Sequence, residues 1–176
     1  VWYISGSTVS GNFDRISING LYLYNDHQHL RIDGVVGKDK EDILNISANN
    51  LEVSTIMDLI RFRILRFNGN ATGSAYASSL LSAPDVNGNF RVDSFKIDNG
   101  YLGNADLNIG WRNIDKSIFI NADVHNDEGD ISKVNGFLSQ ANDTIHLDIN
   151  ANRIKAVFIN KMVRSFMSDI EGTGSG

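Results

Sequence analysis

The chain has 176 residues, 41% of them hydrophobic, enough for one domain with its own core. A formal net charge of −5 without any basic block argues against a surface that tracks the phosphates of DNA or RNA. The absence of cysteine excludes disulfides, thiolate-bound zinc and thiol chemistry, and the longest apolar runs, such as Ala156-Val157-Phe158-Ile159, fall far short of the roughly 20 residues of a bilayer-crossing helix.

The sequence opens on Val1-Trp2-Tyr3-Ile4, with no charged leader, cleavage site or initiating methionine. It therefore reads as a piece of a longer protein whose targeting signals lie elsewhere. Apolar residues then recur two apart: Ile16 and Ile18, Leu21 and Leu23, Leu30 and Ile32, then Leu44, Ile46 and Ala48. Period two with polar residues between is the pattern of antiparallel strands with one dry face and one wet face. From Ile56 to Phe67 the rhythm changes. Ile56, Leu59, Ile60, Ile64 and Phe67 fall at helical spacing, and Thr55-Ile56-Met57-Asp58 offers a capping box.

Alternation returns at Phe90 and Val92, Phe95 and Ile97, then Leu107, Ile109 and Trp111. It continues through Ile118, Ile120, Ala122 and Val124, and through Ile145, Leu147, Ile149 and Ala151. A second amphipathic helix is predicted over Ile159–Ile170. Turn signals stand at Asn19-Gly20, Asp33-Gly34, Asn87-Gly88, Asn99-Gly100, Asn126–Asp130 and Asn135-Gly136. Where apolar residues resume at once, such a pair is better read as a kink or bulge inside a strand. No Pro/Ser-rich linker divides the chain, so residues 1–176 are expected to form a single β domain.

The chain also repeats itself. Leu44-Asn45-Ile46-Ser47-Ala48-Asn49 returns as Leu147-Asp148-Ile149-Asn150-Ala151-Asn152, and at that offset residues 44–73 align without a gap on 147–176. A shorter echo links Val9-Ser10-Gly11-Asn12-Phe13 with Val86-Asn87-Gly88-Asn89-Phe90. Self-similarity at a fixed period favours an array architecture. A repetitive half-buried sheet must cover its apolar face as a sandwich, a barrel, or a sheet curled around its own apolar stripe, with the helices as plugs.

The strands LNISANNLEV and LDINANRIKA, each followed by an amphipathic helix and a glycine-rich restart, resemble the TamB family. So does the recurring Val-x-Gly-x-Phe strand opening. The family belongs to the AsmA-like bacterial envelope proteins, and no catalytic motif anchors the likeness. What the resemblance implies is a mostly β fold, an antiparallel curled sheet forming a β-taco-like trough with one or two short amphipathic helices. It further implies a periplasmic protein anchored in the inner membrane by its parent chain, which passes phospholipid between inner and outer membranes. An Omp85-class outer-membrane partner would engage the parent protein in outer-membrane assembly. Acyl chains would be the ligand, and the candidate groove lining is Ile46, Ala48, Phe90, Val92, Leu107, Ile109, Trp111, Ile118, Ile120, Ile145, Leu147 and Ile149. Each buried CH₂ is worth about 0.8 kcal/mol, so a continuous dry stripe suffices without placed polar groups. The plainer reading is that these side chains simply form a closed core.

Other chemistry is poorly supported. His27-Gln28-His29 places two imidazoles on one strand face, but no third ligand stands near them, and a solvated strand or loop is preferred to a metal site. Asn126–Asp130 lacks the spacing of a calcium-binding loop and reads as a hairpin turn. Gly69–Ser74 lacks the lysine of a phosphate loop. Arg61, Arg63 and Arg66 could meet lipid phosphate but read better as the wet face of the first helix. No nucleophile elbow, His-Glu-x-x-His motif or cysteine nucleophile is present, so no enzyme and no cofactor is expected. The alternative is an extracytoplasmic β-sandwich that binds glycan or protein through its polar face, marked by an exposed Trp111 or Tyr101.

Overall fold

The computed structural model describes residues 1–59, 66–97, 100–114, 116–139 and 144–150. The strands are β1 (Tyr3–Ser5), β2 (Thr8–Asn12), β3 (Arg15–Tyr24), β4 (His29–Val36), β5 (Ile43–Glu52), β6 (Phe67–Ser78), β7 (Asp85–Ile97), β8 (Gly100–Arg112), β9 (Ser117–His125), β10 (Ile131–Ser139) and β11 (Thr144–Asn150). One helix, α1 (Val53–Leu59), stands between β5 and β6. All the strands join one antiparallel sheet in chain order, with β1 and β2 sharing the same edge of β3. The sheet is not closed into a barrel, because β1–β2 and β11 lie at opposite ends of the strand order. It is mostly β and curled, as the alternation pattern led us to expect. The expected sandwich is not formed: among the described residues there is a single sheet, and its well-contacted strand pairs are hydrogen-bonded neighbours.

Register sorts the side chains. Antiparallel partners share a face, so Ile32↔Ile46↔Ala75 places three apolar residues on one side. The rows Gly88↔Ile109↔Ile120, Phe90↔Leu107↔Ala122 and Val92↔Ala105↔Val124 continue that side across β7, β8 and β9. The other side carries Arg31↔Ser47↔Ser74↔Asn89↔Asn108↔Asn121↔Asn135, which is polar throughout. A slip by one residue would put every one of these side chains on the wrong side, which is why the pairing is specified so firmly.

Bulges bend the strands near one end. The register shifts between Ile18 and Leu21 in β3, between Ala48 and Leu51 in β5, between Asn68 and Asn70 in β6, and between Val92 and Phe95 in β7. Left-handed residues mark them: Gly20 (φ 64°), Asn50 (φ 52°) and Ser94 (φ 53°). Bulges raise local twist and curl a sheet toward one face. Here they coincide with the core, where Val53, Ala71, Val92, Phe95, Ile97, Ala105, Ala122 and Val124 pack together. α1 lies on this end, placing Val53 in the cluster and Met57 against it. The sheet thus makes its core by bending over itself and capping the bend with a helix.

Several sequence expectations are corrected. The helix begins at Val53, so Thr55 and Asp58 lie inside it and form no capping box; burial of Val53 (7% exposed) fixes the start instead. Phe67 is no helix residue. It opens β6 and pairs with Ile97, stacking on Phe95 at 6.2 Å between ring centres. Gly69–Ser74 lies inside β6, and Asp33-Gly34, Asn87-Gly88 and Asn135-Gly136 are likewise interior to strands. Asn19-Gly20 is a bulge, whereas Asn126–Asp130 is a true hairpin turn closed by the Asn126 N–H donating to the Asp130 carbonyl at 3.1 Å. The Val-x-Gly-x-Phe echo is not structurally equivalent, because Phe90 lies within β7 while Phe13 sits in the turn after β2. In the longer repeat, Leu44 faces Gly34 in β4 just as Leu147 faces Gly136 in β10. The second predicted helix, Ala151, and the rest of 151–176 lie outside the described residues.

Candidate functional site

Every position named for the groove falls on the apolar side. Ile46 and Ala48 come from β5, Phe90 and Val92 from β7, Leu107, Ile109 and Trp111 from β8, and Ile118 and Ile120 from β9. Register sets positions 145, 147 and 149 of β11 opposite 138, 136 and 134 of β10, on the same side. No protein layer other than α1 packs on this side among the described residues.

Accessibility divides the set. Ala48 and Val92 are sealed by protein, Val92 completely (0% exposed), and present no surface to a ligand. Ile46, Phe90, Leu107, Ile109, Trp111, Ile118 and Ile120 are all half-buried. These seven form a contiguous strip, since Phe90 neighbours Leu107, Ile109 neighbours Ile120, and Trp111 neighbours Ile118. Glycines keep the strip tightly knit: a Cβ on Gly88 would press on Ala75, Ile109 and Phe90 at 2.8–3.0 Å. Trp111 donates its Nε1–H to Asn113 Oδ1 at 3.0 Å, which anchors the indole at the margin of the strip with its apolar body on the sheet.

Beyond this strip, the loops at the end opposite α1 are tied into a rim. Arg15 Nε donates to Asp42 Oδ1 at 2.8 Å, joining the β2–β3 turn to the β4–β5 loop, and Lys38 pairs with Asp14. The Leu81 N–H donates to the Gly37 carbonyl at 3.0 Å, and Ser82 Oγ donates to the Lys38 carbonyl at 2.7 Å, bringing in the β6–β7 loop. Asn113 Nδ2 donates to the Pro84 carbonyl at 2.9 Å and adds the β8–β9 loop. Hydrogen bonding to Arg15 holds the Asp42 carboxyl below its ordinary range, and hydrogen bonding to Lys38 does the same for Asp14. Leu44 and Ala77 are buried beside these loops, so the strip has a firm border there.

The polar side offers a different surface. Two shallow depressions of about 540 and 250 Å³ lie on it, one lined by Asn89, Arg91, Asp106, Asn108, Asn121 and Asp123, the other by Arg31, Asp33, Asn45 and Tyr76. Asn108 donates to Asn89 at 3.0 Å, and Asp106 lies between Arg91 Nη1 (3.8 Å) and His125 Nε2 (3.2 Å). Tyr101 is exposed and donates to Asp127 at 3.0 Å, which pushes its phenol up, because ionisation would set two anions together.

Sequence reasoning placed the histidines differently from the structure. His27 lies in the β3–β4 turn, and His29 opens β4 with Nδ1 2.6 Å from the Tyr22 hydroxyl, so the two do not form a pair on one face. Among the described residues no group of three or more His, Cys, Asp or Glu could hold a metal ion. Arg61 and Arg63 lie outside the described residues; Arg66 is exposed. The aromatic row of Tyr3, Tyr24, Tyr22 and His29 on the polar side, with ring centres 5.4–5.8 Å apart, was missed. Tyr22-Leu23-Tyr24 at alternate positions was the available signal. No helix among the described residues is long and apolar enough to cross a membrane. No family model, curated protein or solved structure matches this chain.

Proposed function

We propose that this domain is a segment of a TamB-like envelope protein that serves as a passive conduit for phospholipid acyl chains. The observation that carries the reading is the half-buried strip from Ile46 to Ile120, apolar, continuous across neighbouring strands and without a second sheet over it. Hydrocarbon needs only dry, contiguous surface, and each CH₂ it buries contributes about 0.8 kcal/mol. Flanking Asn and Asp on the opposite side keep the outer surface wet. In this reading the parent protein sits in the periplasm, anchored in the inner membrane, and meets an Omp85-class partner in outer-membrane assembly. The role is non-enzymatic.

Uptake of a fluorescent phospholipid by lipid-free protein tests the proposal. Saturable uptake is expected, and Ile109→Asp or Ile120→Asp should abolish it while leaving the β-type circular dichroism spectrum intact. Uptake that both variants preserve, or none by the wild type, would overturn it.

The polar side supports a second reading, glycan binding, through exposed Tyr101 and the asparagine row Asn89–Asn108–Asn121–Asn135. A glycan-array hit lost in Asn108→Ala and Asn121→Ala, but kept in Ile109→Asp, would favour it over the lipid reading.

A further inference from the structure

A sheet edge exposes a row of backbone donors and acceptors that templates further strands, and proteins usually defend it with Lys, Pro or a covering element. The β1–β2 edge has none of these defences. Residues 1–13 hold no Asp, Glu, Lys, Arg or Pro. Every residue of β1 and β2 is exposed, and among the described residues both strands pair with β3 alone. Large apolar side chains cluster there: Val1, Trp2, Tyr3, Ile4, Val9 and Phe13 are all exposed, Ile4 at 66% and Val9 at 61%. The aromatic row of the polar side also ends at this edge, with Tyr3 53% exposed and only its inner side stacked, on Tyr24.

We infer that this edge is a strand-addition site for a second copy of the chain, the two β1–β2 edges pairing antiparallel to join two sheets into one. Charge selects this occupant. At −5 overall, two copies repel each other, and the edge is a stretch where that repulsion is locally absent. The first charges after it are already neutralised, Asp14 by Lys38 and Arg15 by Asp42. A two-fold axis at the Gly6-Ser7 break between the strands sets Ile4 of one copy beside Val9 of the other. Ile4 pairs with Leu23 and Val9 with Ile18 within each sheet, so both belong to the apolar side, which then runs unbroken across the join. Such an isologous contact closes on itself and stops at a dimer.

Light scattering across a concentration series tests this on the full chain. The wild type is expected to dimerise reversibly. Val9→Lys sets two ammonium groups near the axis and should weaken the dimer roughly tenfold or more, with an unchanged thermal melt of the monomer. Ile4→Lys gives an independent reading of the same edge, and Tyr76→Lys, exposed in mid-sheet, should leave the dimer intact. A monomer throughout the series, or a dimer that both edge variants preserve, would overturn the inference. Lipid uptake does not enter this test, so it stands or falls apart from the conduit reading.

Discussion

The two halves of the apolar side are made of the same residue types yet behave differently. At the α1 end, Val92 and Ala105 are fully excluded from solvent and Phe95 is 7% exposed. A few residues along the same strands, Phe90, Leu107 and Ile109 remain half-buried. The difference lies in the backbone. Bulges at Gly20, Asn50 and Ser94 bend the strands at the α1 end, and the helix fills the bend, whereas the register from Phe90 toward Asn87 in β7 and throughout β8–β9 is uninterrupted. A curled single sheet can thus confine its stability to one end and leave surface available at the other.

Substitutions should expose this division, beginning with the largest effect. Ala105→Asp buries an unpaired carboxylate and should cost about 3–5 kcal/mol, enough to unfold a domain of ordinary stability. Ile109→Asp, two residues further along the same side of β8, should cost far less, and urea titration of the two variants compares them directly. Phe95→Ala should lose about 3–5 kcal/mol through the cavity it leaves, against about 1–2 kcal/mol for half-buried Trp111→Ala. Equal losses would mean that the two regions are packed alike. Gly103→Ala, at φ +119° with its Cβ directed onto the His125 carbonyl, should cost about 1–3 kcal/mol and confirm how closely the strands approach at the sealed end.

The smallest effect concerns the rim. Asp14 and Asp42 have carboxyl pKa values depressed in the folded state, so the stability they add is complete above the unfolded value of about 3.9 and is lost as pH falls through the folded values. Acid titration followed by fluorescence should therefore show the rim weakening only below about pH 4, and Asp42→Asn should flatten that limb. An acid limb unchanged in Asp42→Asn would place the acid sensitivity elsewhere.

Much of the fold was legible because alternation is a direct image of the pleat. Ile118, Ile120, Ala122 and Val124 could belong to little else than a half-buried strand, and Leu107, Ile109 and Trp111 gave their neighbour. β6 was not legible, since Ala71, Gly73, Ala75 and Ala77 are too small to stand out as an apolar stripe. They are small because neighbours crowd them: a Cβ on Gly73 would meet the backbone of Asn89 and Phe90. β10 was hidden by Asn135-Gly136, a turn signal that here lies within a strand opposite Leu147 and Ile120. For the candidate site, periodicity put the lining residues on one side but said nothing of which were sealed. That depended on bulges whose only marks were single residues such as Asn50 and Ser94, neither of them a residue that announces a left-handed backbone as glycine does.

The account rests on an apolar strip that hydrocarbon can reach. A phospholipid bearing a photoactivatable group on its acyl chain, irradiated with the protein and mapped by mass spectrometry, tests this most directly. Adducts should concentrate on Phe90, Leu107, Ile109 and Ile120 and spare Val92 and Ala105. Labelling confined to the polar side, or spread without regard to side, would contradict it.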